Sequence, residues 1–427
     1  MTEQKTVQFA ANTLRAILME EGADDAGFVE IGRKALAPEV EDIKRVFPQT
    51  RTIVSIAKKV NQASVQSQAV NVADEEFRRT CDDLSGVCRK TLRRLNGLGV
   101  RGVCLSYAFP ADMNRWPGKI WDISHKTVAV EAGVGQMGLN RLVIHPRYGN
   151  FLVITTLLLD AELDSYSQPL KDNPCIKCRL CAAVCPVNAI SQDGQFEFMA
   201  CFTHSYRETL SGFQDWVERM VSATDVRTYR AWFRDSETVS MWQSLTFGYS
   251  YKCSYCMAVC PAGSDVIVDY LPDKKAYFEI TVNPLIQKKE PVYLLAGTRA
   301  EVAVKKNPSK EARYVRTPIR PTSIAGFLMG VTLAFNPEKA QGVNMNIQFN
   351  FTGKEDVSAT VVIGMGKINV SQGAEGKADL VVYADSEVWI KFLNKEVSLL
   401  KAIFSRKLRV RGNPLFMKKF QDCLLLF

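Results

Sequence analysis

Residues 175–190 read CIKCRLCAAVCPVNAI, with Cys175, Cys178, Cys181 and Cys185 three, three and four positions apart and Pro186 after the last. A C-x2-C-x2-C loop is short enough to wrap three thiolates around one face of an iron-sulfur cube, and the trailing Cys-Pro completes the bacterial ferredoxin pattern, whose fourth cysteine serves a different cluster. That pattern requires a partner run. It lies in YSYKCSYCMAVCPAG, where Cys253, Cys256 and Cys260 repeat the last three positions and Pro261 follows, with Ser250 in the missing first slot. Two cubes need eight thiolates and the two runs supply seven, so Cys201, in FEFMACFTHSYRE, is expected as the eighth. The expected assignment is Cys175, Cys178, Cys181 and Cys260 to one [4Fe-4S] cluster and Cys185, Cys201, Cys253 and Cys256 to the other. Structural zinc favours separated CxxC pairs rather than CxxCxxC with a trailing Cys-Pro, and disulfides need an oxidising compartment.

The surrounding chain bounds the setting. It has 427 residues, 47% hydrophobic and 23% charged, the composition of a globular protein with two to four domains. The apolar runs, such as FLVITTLLLDAEL, fall short of the ~20 residues of a spanning helix. The N-terminal stretch carries neither a basic region before an apolar core nor a twin-arginine pair, so a cytoplasmic location is expected. The remaining cysteines, Cys81, Cys88, Cys104 and Cys423, are expected in the core; Cys81, Leu84, Cys88, Leu92 and Leu95 recur at helical spacing. Net charge is +9, but nine Lys or Arg against three Glu fall between Lys288 and Arg320. That segment reads as a proline-marked connector on which an acidic electron donor can dock. Without a helix-borne or aromatic-interleaved basic motif, no nucleic-acid binding is expected.

Residues 1–165 alternate helix and strand signals, an α/β layer pattern. Residues 166–275 hold the cysteine runs, with Phe213, Trp216, Val217, Met220 and Val221 forming an amphipathic face expected to pack against the clusters. Residues 276–317 are the basic connector. From 318 to 427, strands separated by glycine and polar turns, such as NMNIQFNFTG and ADLVVYAD, precede helical pieces, an α+β pattern. The fold class expected is therefore α/β and α+β multidomain. Gly133, Gly135 and Gly138 form a literal G-x-G-x-x-G, but ISHKTVAVEA before them reads as a helix ending at a glycine, not as the strand a dinucleotide fingerprint needs.

Taken together, ISHKTVAVEAGVGQMGLNRLVIHPRYGN, the CxxCxxCxxxCP run, the later lone cysteine and the CxxCxxxCP run resemble the cobalamin-dependent iron-sulfur reductases that include epoxyqueuosine reductase and the reductive dehalogenases. The resemblance implies a nitroreductase-like α/β domain holding a base-off corrinoid, fed by a ferredoxin-like double-cluster domain. It places Gly133, Gly135, Gly138, Asn140, Tyr148 and Gly149 near the corrinoid, and Lys126 is counted with them. The DxxPxxE stretch of epoxyqueuosine reductases is replaced here by PGKIWDISHKT. His125 is the first choice for a proton donor, a role that suits an imidazole pKa, with Asp122 and Tyr107 behind it; His204, beside Cys201, is expected to orient a cluster thiolate.

The final hundred residues resemble the sterol carrier protein type 2 domain through LAFNPEKAQGVNMNIQFNFTG, GKINVSQGAEGKADLVVYADSEVWIKFLN and AIFSRKLRVRGNPLFMKKF. That implies a tunnel for a hydrophobic or lipid-like small molecule; the alternative is a packing module whose tunnel is filled by side chains. The expected function is a reductase that takes electrons from a reduced ferredoxin or flavodoxin, passes them through two [4Fe-4S] clusters to cobalamin, and reduces a hydrophobic electrophile. The alternatives are a flavin in place of the corrinoid, or a non-catalytic electron-transfer or lipid-responsive protein.

Overall fold

The computed structural model describes residues 8–106, 122–192, 194–248, 251–316 and 320–425. They form two compact units, the first drawn from 8–106, 122–192, 194–196 and 251–290, the second from 197–248, 291–316 and 320–425. This division differs from the four consecutive segments read from sequence. The helical stretch between the cysteine runs folds with the C-terminal part of the chain.

In the first unit a four-stranded antiparallel sheet runs in the order Asp25–Glu30, Thr52–Lys59, Leu152–Leu159, Gly102–Cys104. Successive side chains of a strand point to opposite faces, and both faces are apolar. Val54, Ile56, Leu157 and Leu159 pack beneath the helices Ala11–Glu20 and Val70–Gly97, whereas Ile53, Ala57 and Leu158 pack beneath the helix His125–Glu131. The long helix turns Cys81, Leu84, Cys88 and Leu95 inward at spacings of three, four and seven, as its periodicity predicts.

The second unit contains a five-stranded sheet ordered Lys367–Gln372, Val357–Gly364, Met345–Thr352, Leu380–Asp385, Leu408–Gly412. Met345–Thr352 and Leu380–Asp385 pair in parallel; the other neighbours are antiparallel. The helices Ile324–Ala334, Ser386–Leu393, Leu399–Phe404 and Leu415–Asp422 accompany it. Its centre is aromatic: Phe327 lies 5.5 Å from Phe349 and 5.3 Å from Trp389, and Phe349 lies 5.7 Å from Trp389, ring centre to ring centre.

The stretch read as a connector is regular structure: a strand Glu290–Leu294, a helix Arg299–Lys306 and a strand Lys310–Tyr314 that pairs with the first. Several of its basic side chains pair with carboxylates. Arg299 meets Glu338 at 2.8 Å, Lys305 meets Glu301 at 3.0 Å, Arg313 meets Glu237 at 2.9 Å and Arg316 meets Glu218 at 3.2 Å. These pairs reduce the excess charge read from the stretch by itself. The amphipathic face does not keep its expected place. It lies on the helix Leu210–Ser222 of the second unit, where Met220 and Val221 are exposed.

Candidate iron-sulfur centre

The first cysteine loop is shaped before any thiol is considered. Asn173 accepts a hydrogen bond from the Cys175 amide at 2.9 Å and donates to the Met137 carbonyl at 3.0 Å, fixing where the loop starts. Lys177 and Arg179 then take left-handed conformations, with φ of 53° and 64°, unusual for side chains of this size. Alternating right- and left-handed residues turn successive amides toward one concavity, a shape that suits an anion. The short helix Leu180–Val184 follows and carries Cys181.

Cys175, Cys178, Cys181 and Cys260 converge on one cavity, which Asn140 and Ile144 also line. Burial, and then the neighbouring thiols Cys178 and Cys175, push the Cys181 thiol up to about 12. Burial likewise pushes Cys260 up to about 12, again with Cys178, Cys181 and Cys175 adding to the shift. A thiol that crowds others away from water holds its proton, and a bound metal centre reverses this because a coordinating thiol is deprotonated outright. Among the described residues no three His, Cys, Asp or Glu side chains gather closely enough to hold a single metal ion. Thiols spread around a cavity suit a multi-iron cube rather than one zinc.

The remaining cysteines divide. Cys185 is buried, which raises its pKa, and the amides of Ala189, Val187, Ile190 and Asn188 offset that by pointing at its sulfur, Ala189 at 3.3 Å. Cys256 packs beside Cys181, Ala182 and Ile190, and Cys253 lies against the apolar cluster of Phe151, Tyr255 and Val259. Cys201 belongs to the second unit, on the helix Phe198–Ser205, with its sulfur 3.8 Å from the Ser205 hydroxyl. His204, on the same helix, accepts a hydrogen bond from the Tyr293 amide at 3.3 Å, so this nitrogen ties the helix to the strand Glu290–Leu294 rather than to a thiolate. Ser250 lies outside the described residues.

The glycine segment is a floor for this centre. Gly133 ends the helix His125–Glu131 at φ 69°, and the short strands Gln136–Met137 and Val143–Ile144 form a hairpin. A Cβ on Gly133 would sit 2.4 Å from the Gln168 carbonyl oxygen, and one on Gly135 would sit 2.6 Å from that of Ile144. On Gly138 it would meet the Ile144 side chain at 2.5 Å, and on Gly149, φ 63°, the Ala262 carbonyl oxygen at 2.0 Å. Asn140 donates to the Cys256 carbonyl at 3.1 Å and accepts from the Leu142 amide at 3.2 Å. These residues were expected around a corrinoid; on the Cβ side of each glycine the protein's own backbone or side chains approach, which is why a larger residue would not fit there. Lys126 donates to the Arg141 carbonyl at 2.8 Å, and Tyr148 stacks on His145 with ring centres 4.6 Å apart. Asn150 is the exception: it is buried, and neither end of its carboxamide is hydrogen-bonded among the described residues.

His125, expected as a proton donor, has both ring nitrogens engaged. Nε2 donates to the Ser106 carbonyl at 2.8 Å, which leaves Nδ1 to accept from the Thr156 hydroxyl at 2.8 Å. Burial lowers its pKa and keeps the ring neutral. This geometry fixes the start of a helix and offers no free proton. His145 is held in the same manner, donating to Asp25 at 3.0 Å and accepting from the amides of Arg147 and Tyr148 at 3.0 and 3.2 Å. Asp122 is half-buried two residues before the helix-capping Ser124, and Tyr107 lies outside the described residues. Sequence reading missed Asn173, although an Asn before a turn is a recognisable signal; it also missed the pairing of His145 with Asp25, which no local pattern announces.

Known proteins match both ends of the chain. The 4Fe-4S binding domain model matches residues 172–191, and the SCP-2 sterol transfer family model matches 334–425. An epoxyqueuosine reductase of Lactococcus garvieae is 24% identical over 276 residues, covering 64% of this chain and 68% of that protein. The chain thus joins a region similar to epoxyqueuosine reductases to one that matches the SCP-2 sterol transfer family model. The reductase-like region also matches epoxyqueuosine reductases of Cyclobacterium marinum, 33% identical over 18% of this chain and 24% of that protein, and of Escherichia coli, 26% identical over 29% and 30%. Against these two, the matched stretch spans less than a third of the relative. Among solved structures, epoxyqueuosine reductase from Streptococcus thermophilus has 18% identity and a TM-score of 0.36, covering 64% of this chain and 75% of that one. A catabolic reductive dehalogenase has 16% identity and a TM-score of 0.34, covering 42% and 25%. Among the described residues no helix is long and apolar enough to cross a membrane.

Proposed function

We propose that this protein is a cytoplasmic iron-sulfur reductase. It takes single electrons from a reduced ferredoxin or flavodoxin and passes them through two [4Fe-4S] clusters to an acceptor that reduces a hydrophobic, electrophilic substrate. The observation that carries this reading is the convergence of Cys175, Cys178, Cys181 and Cys260 on one cavity, with Cys185, Cys253 and Cys256 in the same unit. Paired cubes transfer one electron at a time at potentials set by burial and by hydrogen bonds to sulfur, and the amides around Cys185 are such bonds. Cys201 is the proposed eighth ligand. Cobalamin is the acceptor that the relatives suggest, in its base-off form, and no contact on this chain is assigned to it. Proton donation falls to Asp122 or Tyr107, since both nitrogens of His125 are occupied.

The alternative reading is an electron carrier without a corrinoid, or with a flavin in its place. One experiment separates the two: anaerobic purification with cobalamin supplied, followed by iron, sulfide and cobalt analysis and an absorption spectrum. The reductase reading requires about eight irons and about one cobalt per chain. About eight irons with neither cobalt nor flavin after reconstitution overturns it in favour of the carrier.

A further inference from the structure

The C-terminal sheet ends in a surface whose composition differs from the rest of the molecule. Between Lys395 and Lys419 the sequence has eight Lys or Arg and a single carboxylate, Glu396. All eight basic side chains are exposed. Among the described residues only Lys407 of these pairs with a carboxylate, Asp385 at 3.5 Å, in contrast to the 299–316 stretch.

The same surface is apolar at its tip. On the helix Leu399–Phe404, Ala402 faces the core at 0% exposure, while Leu399, Leu400, Ile403 and Phe404 are 45%, 67%, 44% and 84% exposed. At 3.6 residues per turn these four occupy one contiguous arc, with Lys401 at its border. Leu415, 63% exposed, begins the helix that carries Lys418 and Lys419. Lys395 precedes the helix, and Arg406 and Lys407 follow it; Arg409 and Arg411 of the edge strand lie across from Tyr383 and Val381, on the sheet face away from the helices. A solvated surface does not need an outward Phe and three outward aliphatic residues ringed by unpaired cations. A nucleic acid would use the cations and leave the apolar tip in water.

We infer that this face docks on an anionic lipid surface, with Leu400 and Phe404 entering the headgroup boundary and the surrounding Lys and Arg meeting lipid phosphates. Burial of apolar side chains and attraction to anionic lipids add in such interfacial binding. The face belongs to the second unit and the thiol-lined cavity to the first, and the inference does not depend on the proposed reaction.

The test uses the full chain, purified anaerobically, in sedimentation with vesicles of phosphatidylcholine alone or with roughly a third phosphatidylglycerol. The expected result is partition onto the anionic vesicles that weakens as salt screens the charges. Leu400→Ser together with Phe404→Ser is expected to weaken it at least tenfold. Lys401→Glu and Arg406→Glu combined are expected to weaken it at least tenfold. The iron-sulfur absorption of each variant checks that it remains folded. Absence of partition at low salt overturns the inference. So does a serine pair that binds vesicles like the parent, or duplex DNA that displaces the vesicles and binds the serine pair unchanged, which would make the face a nucleic-acid surface.

Discussion

Around Cys175, Cys178, Cys181 and Cys260 the chain keeps a cavity, whereas in the C-terminal sheet Phe327, Phe349, Phe351 and Trp389 meet ring to ring. The first interior is held by backbone: left-handed residues, an Asn at the start of the loop, and glycines whose missing Cβ atoms let carbonyls approach. The second is held by side-chain volume. A space that a cofactor must fill cannot rely on the close packing that stabilises ordinary cores, so its shape has to be written into backbone turns. A domain without such turns fills itself.

The largest expected effect removes a wall of the open space. Cys181→Ala should cost one cluster, lowering iron from about eight to about four per chain while the C-terminal sheet stays folded; unchanged iron would mean that the cavity is not the cluster site. Phe349→Ala makes in the second unit the kind of space that the first one keeps. It should destabilise that unit by about 4 kcal/mol in denaturant unfolding, and a loss below about 1 kcal/mol would show that the aromatic centre tolerates an opening, as a ligand-binding interior would. Gly149→Ala tests whether backbone approach is the organising device. With φ at 63° and the Ala262 carbonyl in the way, it should cost about 3 kcal/mol and disturb the spectrum of the adjoining cluster.

The smallest effect concerns pH. Burial lowers the His125 pKa from the ordinary histidine value, so below about pH 6.5 the unfolded chain takes a proton that the folded chain refuses. Its contribution to stability is therefore present above that pH and is lost as pH falls toward the lowered folded value. The urea midpoint of the parent should fall more between pH 7.5 and 5.5 than that of His125→Gln. Equal slopes would show that the ring is not held neutral.

Much of this was legible in sequence because the signals are local. Cysteine spacing names the loops, a short apolar run names the strand around Ile53 to Ala57, and helical spacing places Cys81 and Cys88. What the sequence hid depends on distant approach. The glycines of 133–149 look like a cofactor motif, and the close approach of Gln168, Ile144 and Ala262 that also requires them is not visible in the sequence. The charge between Lys288 and Arg320 looked like a docking patch because Glu218, Glu237 and Glu338, which pair with several of its side chains, come from elsewhere in the chain. His125 looked reactive because nothing nearby in sequence announces Thr156 as its partner.

Cys260 closes a cavity that Cys175 begins, and the helices Phe198–Ser205 to Asp235–Phe247 are made between them. During synthesis the ribosome therefore releases three thiols of this site well before the fourth, with a whole helical stretch of the other unit still to come. A cluster delivered early would be held by an incomplete set of ligands and exposed to oxygen. The order of residues along the chain thus sets a clock for maturation, and iron-sulfur delivery has to wait for the second cysteine run.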